Sequence, residues 1–152
     1  MKNPINTARD FLTLIIEPDV EDAEANQHDI RLVIHALISL HQINEWHFND
    51  MPVQYSSKSE YINALKAHNE ALYAECPVLD RLRELATNAK HCAPFSAGQE
   101  LFGISAMDVG SPLTLIAISK DEAGSSEELL PIIRGALIFW RARVGLSIAK
   151  IV

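Results

Sequence analysis

The sequence predicts a mainly α-helical fold, an up-and-down bundle of about five helices with one β-hairpin inserted before the last helix. Apolar residues recur at helical spacing in five segments, which are bounded by prolines and capping residues. A further segment holds two short apolar runs on either side of the turn sequence Asp108-Val109-Gly110-Ser111, which is typical of a hairpin. With 152 residues, 48% of them hydrophobic, the chain is long enough for one full core and too short for two, so residues 1–152 are predicted to form a single domain.

The first helix is predicted over residues 4–17 and is followed by an acidic connector. Its apolar positions are Ile5, Ala8, Leu12 and Ile15. Pro18 is expected to end this helix, because a proline inside a helix donates no N–H and clashes with the preceding turn. The segment Glu17 to Glu24 is rich in carboxylates and is therefore expected to be solvated.

The longest helix is predicted over residues 26–48 and carries polar residues along its most apolar face. Its stripe comprises Ile30, Val33, Ile34, Leu37, His41, Asn44 and Phe48, with Glu45 beside it. Its flank is also apolar and comprises Leu32, Ala36, Leu40 and Ile43. Burial on more than one side predicts that this helix lies at the centre of the bundle or at a subunit interface.

Three more helices and the hairpin complete the prediction. Ser57 and Glu60 have the spacing of a capping box, which starts a helix that reaches about residue 75. Pro77 suits the first turn of the next helix, predicted through residue 91. The hairpin strands are predicted over residues 101–107 and 112–120, with the whole hairpin at about 101–120. Ser125 and Glu128 predict a second capping box, at the start of a last helix that runs to about residue 149.

Charge and composition exclude several classes of protein. The net charge of −7 argues against stable binding to duplex DNA, which relies on many Lys and Arg side chains. The two cysteines, Cys76 and Cys92, follow no metal-binding spacing. No apolar run approaches the roughly 20 residues of a membrane span. With no secretory segment at the start of the sequence, these features predict a cytoplasmic protein that has no membrane partner.

His41, Asn44 and Glu45 are the first set of candidate functional residues. Polar side chains at buried positions must be hydrogen-bonded or must serve a function. In one interpretation the three form a ligand-binding site or a structural polar network that fixes the register of the bundle. In another, His41 and Glu45 hold a metal ion together with His68 or His91, but the spacing is common, and we predict no metal or cofactor.

The second candidate set lies on the predicted helix 77–91. Asn88, Lys90 and His91 fall on the flank of its apolar stripe. They are either solvated, as cations at a helix C-terminus often are, or they line a cleft. In the cleft, His91 would act as a general acid or base, Asn88 would orient it, and Lys90 or Arg83 would hold a phosphate. Metal-independent RNA cleavage requires these residue types.

Other histidine and tryptophan residues are expected to play structural roles. His28, His35 and His47 lie off the central stripe of the long helix and are expected to be exposed. His68 lies on the stripe of the third helix and is expected to be a core histidine with its hydrogen bonds satisfied. Trp46 and Trp140 are expected to belong to the core.

The segment His41 to Phe48, followed by Cys76-Pro77 and by Leu82 to His91, resembles a group of small bacterial proteins. They share a helical segment that ends near a Trp and a later Leu-Ala-x-Asn-Ala-x-Lys-His helix. The arrangement is also similar to the HEPN group of helical bundles, found in toxins, phage-defence proteins and RNA-processing factors. This resemblance implies a homodimer with a composite ribonuclease site, to which His91 would contribute, assisted by Asn88 and Arg83. Arg83 and His91 are further apart here than the corresponding Arg and His of the HEPN motif.

Two functions therefore stand as expectations. The first is a HEPN-like, metal-independent endoribonuclease of a toxin or phage-defence system, with an RNA substrate or a cognate antitoxin-like protein as its partner. The second is a non-catalytic dimeric helical module that binds a protein or a small ligand beside His41, Asn44 and Glu45.

Overall fold

Five helices make up most of the chain in the computed structural model, which describes residues 5–26, 29–91, 99–104, 115–119 and 126–149. Helix α1 covers residues 8–25 in three consecutive segments, Ala8–Phe11, Leu12–Ile16 and Glu17–Ala25. The other helices are α2 (Ile30–Asn49), α3 (Lys58–Glu75), α4 (Pro77–His91) and α5 (Leu129–Arg143). The fold is thus mainly helical, as predicted.

Helix α1 continues through Pro18 instead of ending there. The segment Leu12–Ile16 is a π-helical turn, and Glu17 donates its N–H to the Leu12 carbonyl, five residues earlier. The hydrogen-bond register therefore changes just before the proline, where a missing N–H interrupts the helix least. The first predicted helix is therefore confirmed from Ala8 onward, but its predicted end at residue 17 is wrong. The predicted solvated connector from Glu17 to Glu24 is also wrong, because this segment is helical and buries Val20 and Ala23.

Helix α2 lies at the centre of the bundle and contacts the other four helices. Leu40 and Ile43, on its predicted apolar flank, have 0% of their surface exposed within this single chain. Of the two predicted positions, the central one is therefore correct, and the flank at Leu40 and Ile43 is not available as a subunit interface.

The bounds of α3 and α4 agree closely with the prediction. The Ser57 side chain accepts a hydrogen bond from the Glu60 N–H, as a capping box requires, but the Glu60 carboxylate bonds to Ser56 instead of Ser57. Leu72 is the buried residue of α3. By contrast, α4 places four side chains in the core: Leu79, Leu82, Leu85 and Ala86. Helix α3 is therefore held to the bundle by much less apolar surface than α4.

Helix α5 differs from the prediction at both ends. Glu128 is its N-cap residue and makes no side-chain capping bond, so the predicted capping box of Ser125 and Glu128 is wrong. The helix ends at Arg143, earlier than the predicted residue 149, because Gly145 adopts a φ of 74°. The N–H of Leu146 bonds to the Arg141 carbonyl and that of Gly145 to the Ala142 carbonyl, the pattern of a Schellman motif.

Three short strands lie between α4 and α5 in sequence: β1 (Gln99–Ile104), β2 (Leu115–Ser119) and β3 (Ser126–Glu128). They form an antiparallel sheet in the order β1-β2-β3, with Ile104 paired to Leu115 and Ile118 paired to Ser126. The turn predicted at 108–111 lies outside the described residues, so the hairpin itself stays a prediction.

Candidate functional site

Asn44 is buried at the centre of α2 and joins it to α3. Its exposed fraction is 3%, and its Nδ2 donates a hydrogen bond to Tyr73 Oη over 3.4 Å. Its Oδ1 is also buried and has no hydrogen-bond partner among the described residues. Burial raises the pKa of Tyr73, against the opposing effects of Arg83 and of the hydrogen bond with Asn44. The buried amide of Asn44 thus has a hydrogen-bond partner for its nitrogen but none for its oxygen among the described residues.

Arg83 approaches the same tyrosine from α4. Its guanidinium carbon lies 5.6 Å from the centroid of the Tyr73 ring, a cation–π contact. Its Nε is 2.8 Å from an Asp80 carboxylate oxygen, and Glu84 lies 3.8 Å away. Tyr73 therefore connects one residue from each of the two predicted candidate sets, while two carboxylates of α4 balance the charge of Arg83.

His41, Asn44 and Glu45 do not form one buried set. His41 is half-buried and Glu45 is exposed. Successive helical residues point about 100° apart, so Glu45 turns away from the core that encloses Asn44. The expectation that all three lie on a buried stripe is wrong for Glu45.

Glu45 instead lies at a contact between α2 and α3. Its Oε1 is 3.1 Å from Tyr61 Oη, which donates to it and is also 3.2 Å from Asn49 Oδ1. This contact orders the Glu45 carboxylate at the surface of the protein.

An open pocket of about 450 Å³ lies beside this contact. It is lined by Asn6, Gln42, Glu45, Trp46, Asn49 and Asp50. Its volume is within the range of roughly 300 to 1,000 Å³ that is usual for small-molecule sites. Its described lining includes two carboxylates, three amides and an aromatic ring, but no Lys, Arg or His.

The two carboxylates of this pocket form no ion pairs with the described residues. One oxygen of Glu45 accepts from Tyr61, and one oxygen of Asp50 accepts from the Ala8 N–H over 2.8 Å, while no described donor bonds to the second oxygen of either group. The Trp46 ring packs on Phe11 with 5.0 Å between centroids and 14° between planes. Trp46 is therefore half-buried and also forms part of the pocket wall, whereas the sequence predicted a core residue.

A smaller cavity of about 180 Å³, between α1 and α5, differs in its electrostatics. Its lining comprises Glu17, Val20, Glu21, Glu24, Arg134, Leu137 and Arg141. Arg134 is paired with Glu24, and Arg141 with Glu17. These pairs balance the charges of both arginines and join α1 to α5. We therefore interpret the residues that line this cavity as stabilising the bundle and not as binding a ligand.

Asn88, Lys90 and His91 fall in the last turns of α4, as predicted from the sequence. Their side chains lie outside the described part of the structure, and their roles stay predictions. The same holds for Cys92 and His28. Cys76, at the start of α4, is a half-buried free thiol.

His47 and His68 form a contact that the sequence did not predict. His47 Nδ1 and His68 Nε2 are 3.4 Å apart, and the ring planes are 21° from parallel. The His47 ring also lies against Trp140, with 5.2 Å between centroids. Burial and then Arg143 lower the pKa of His47, while Asp50 and Glu75 oppose this effect. Burial, His47 and Arg143 lower the pKa of His68.

The expectation that His47 is exposed is therefore wrong, whereas His35 is exposed as expected. A signal for His47 was present, because it continues the apolar flank of α2 that includes Leu40 and Ile43 at helical spacing. His68 likewise lies on the predicted stripe of α3. The two stripes could have been matched only with knowledge of how α2 and α3 are oriented.

Within the described ranges, no three histidine, cysteine or carboxylate side chains converge to hold a metal ion. The described residues thus do not assemble the metal site considered for His41, Glu45 and His68. Among the described helices, none combines the length and apolar composition needed to cross a bilayer.

The fold and the site define a mainly helical protein with an acidic, aromatic-walled pocket at the surface of its central helix. The chain matches no protein-family model, no curated protein and no solved structure.

Proposed function

We propose that this protein is a cytoplasmic, non-catalytic helical module that binds a ligand bearing an ammonium or guanidinium group in the pocket beside Glu45. The pocket lining carries this proposal, because Glu45 and Asp50 supply two carboxylates without ion-pair partners among the described residues. Trp46 adds an aromatic surface, and aromatic rings attract cations through their negative faces. An anionic ligand would meet no compensating cation in the described lining.

Calorimetry with small cations tests this proposal. Spermidine and tetramethylammonium are expected to bind, and malonate is expected not to bind. Glu45→Gln should weaken spermidine binding several-fold, by about 1 kcal/mol, because an exposed carboxylate contributes about that much to an ion pair. Glu70→Gln is the matched control, since Glu70 is an exposed glutamate away from the pocket. Binding that is equally strong in Glu45→Gln would exclude this site.

The same chemistry is offered by a free cation and by a Lys or Arg side chain of a protein partner. A lysine-containing peptide titrated beside spermidine distinguishes the two sources. A peptide that binds much more tightly than spermidine identifies a protein partner, whereas equal or weaker binding identifies a small ligand.

We further propose that the module is a homodimer. Leu40 and Ile43 belong to the core of a single chain, so the interface must use other residues. Val53 and Ile62, with 54% and 50% of their surface exposed, are available apolar contacts. Light scattering should give the mass of a dimer in the wild type and of a monomer in a Val53→Ser, Ile62→Ser double variant. A monomeric wild type would exclude the dimer.

A HEPN-like, metal-independent endoribonuclease of a toxin or phage-defence system is the second candidate function. It is favoured by the contact of α4 with α2 and by Tyr73, which links Arg83 to Asn44. In this proposal His91 acts as the general acid or base, Asn88 orients it, and Arg83 or Lys90 holds the phosphate of an RNA substrate. An antitoxin-like protein would then be the natural partner. Independently of either function, we also propose that a hairpin over about residues 101–120 is inserted between α4 and α5 of an up-and-down bundle.

RNA cleavage in the presence of a chelator tests this second function. His91→Ala should abolish cleavage without changing the melting temperature, and His35→Ala, at an exposed histidine of α2, should leave cleavage unchanged. Cleavage by His91→Ala at the wild-type rate would rule out the proposed role of His91. Because Glu45→Gln should impair cation binding and not RNA cleavage, the two candidate functions are experimentally separable.

A further inference from the structure

His47 and His68 form an offset stacked pair that brings one nitrogen of each ring within hydrogen-bonding distance. The two nitrogens are 3.4 Å apart and the ring centroids are 5.3 Å apart. With the planes 21° from parallel, this geometry suits an N–H···N hydrogen bond. Such a bond needs one nitrogen that carries a proton and one that does not. It is lost when both rings are doubly protonated, because neither then has an acceptor nitrogen.

This pair is one of the contacts that attach α3 to the bundle. Leu72 is the buried residue of α3, and the N-terminal half of the helix contributes only half-buried or exposed side chains. The other described contacts of α3 include the hydrogen bond from Tyr61 to Glu45, that between Asn44 and Tyr73, the ion pair of Glu75 with Arg143, and contacts between rings. Phe48 of α2 lies 5.3 Å from His68 and 5.5 Å from Tyr61 between centroids. Helix α3 is therefore held by one buried leucine, by several polar contacts and by a group of rings that includes both histidines.

Charged groups from each neighbouring helix surround the pair. Arg143 of α5 acts on both histidines and forms an ion pair with Glu75 of α3 over 2.9 Å. Asp50, at the end of α2, is negatively charged and raises the pKa of His47, in opposition to Arg143. Glu75 already pairs with Arg143. Two positively charged histidines here would therefore repel each other, and the exposed carboxylate of Asp50 would be the remaining negative charge near them.

We propose that the His47–His68 pair is a proton-operated clasp, which holds α3 against α2 and α5 at neutral pH and releases it when both rings become charged. The first added proton can be shared between the two facing nitrogens. The second removes the last acceptor and places two cations beside Arg143. Tyr61 is on α3 and donates to Glu45, so release would also alter the pocket; this consequence rests on the proposed ligand-binding function.

The direction of the pH dependence follows from the environment of the pair. Both histidines have a pKa below their ordinary value of 6.5 when α3 is attached. The released state therefore binds more protons than the attached state, and attachment strengthens as pH rises. The clasp is fully effective above about pH 6.5 and weakens as pH falls through the lowered pKa values of the pair.

Hydrogen exchange of the α3 amides tests the clasp. Between about pH 7.5 and pH 5, after correction for intrinsic exchange rates, protection of α3 should fall several-fold, because the released state binds more protons than the attached state. Protection of α2 and α5 should change much less. In His68→Gln, which retains a polar group but does not titrate, the pH-dependent loss of α3 protection should be clearly smaller than in the wild type, and His47, which still titrates, accounts for the remainder. His35→Gln, at an exposed histidine, should behave like the wild type.

Constant protection of α3 in the wild type, an equal loss in all helices, or an undiminished pH dependence in His68→Gln would each overturn the clasp. If His68→Gln does not fold, NMR titration of the wild-type imidazoles decides the question. Values at or above 6.5 for both rings would contradict it, and depressed values would support it. Spermidine binding at the same two pH values separates the proposals: its absence at both excludes the ligand site and leaves the exchange result intact.

Discussion

Asn44 Nδ2 and Tyr73 Oη form a 3.4 Å hydrogen bond that links the central helix α2 to α3. The two residues are in different environments. Asn44 lies in the core, whereas the Arg83 guanidinium lies over the face of the Tyr73 ring. Asn44 is 3% exposed, so its amide has little access to water as an alternative partner. Tyr73, which is half-buried, has such access.

This asymmetry predicts the effect of removing the tyrosine hydroxyl. Tyr73→Phe should lower the free energy of unfolding by about 1 to 2 kcal/mol, because it leaves a buried amide N–H without a partner. Tyr55→Phe is the control, since the Tyr55 hydroxyl makes no hydrogen bond to a described residue, and it should change stability by less than about 0.5 kcal/mol. Urea unfolding measures both. Equal effects of the two substitutions would show that the Asn44–Tyr73 bond contributes nothing specific.

Local sequence signals predicted the start of several elements well. Ser57 and Pro77 stand at the starts of α3 and α4 as predicted, because capping and first-turn preferences depend on a few neighbouring residues. Pro18 does not end the first helix as predicted, because a π-helical turn over Leu12–Ile16 precedes it, and local sequence preferences do not predict such a turn. Gly145 ends α5 before the predicted residue 149, as glycine just after a helix often does.

The candidate site was less predictable than the fold. Helical periodicity identified Asn44 as a buried polar residue but extended that expectation to Glu45, which is exposed. Helical periodicity also predicted that His47 is exposed. Which flank of α2 is covered depends on how α2 is rotated against α3, and periodicity within one helix does not give that rotation. The pocket brings together Asn6, before α1, with residues of α2. A pairing across the bundle of this kind has no signature in local sequence.

The ion pair between Arg141 and Glu17 gives a second prediction. Arg141 is 7% exposed, and its Nε also donates to the Ser147 carbonyl over 2.8 Å. Glu17→Gln should destabilise the protein by about 3 kcal/mol, because it leaves a buried charge without its counter-ion. Glu21→Gln changes the charge in the same cavity but removes no described ion pair, so it should cost less than about 0.5 kcal/mol. Thermal unfolding of the two variants should differ clearly, and similar melting temperatures would contradict the role of Glu17.

Gly145 allows a test of how α5 ends. Its φ of 74° lies in the left-handed region, where a side chain costs about 1 to 2 kcal/mol. An added Cβ meets no atom within 4 Å, so Gly145→Ala should destabilise the protein through backbone strain alone. Gly145→Asn is the matched variant and should cost less, because asparagine tolerates this conformation better. Chemical denaturation that ranks alanine above asparagine in stability would contradict this explanation.

The N-terminus of α1 should fray in acid. The Thr7 side chain accepts a hydrogen bond from the Asp10 N–H, and the Asp10 carboxylate accepts from the Asn6 and Thr7 N–H groups. The hydrogen bond from the Asn6 backbone, followed by that with Thr7, lowers the pKa of Asp10 below its ordinary value of 3.8. A lowered pKa means that the folded state binds fewer protons, so this contribution is complete above about pH 4 and is lost as pH falls through the lowered pKa. Amide exchange at the start of α1 should therefore accelerate in acid more in the wild type than in Asp10→Asn, which cannot titrate, and Asp19→Asn, at another acidic residue of α1, should retain the wild-type response. Identical acid profiles for the wild type and Asp10→Asn would show that another group governs this helix end.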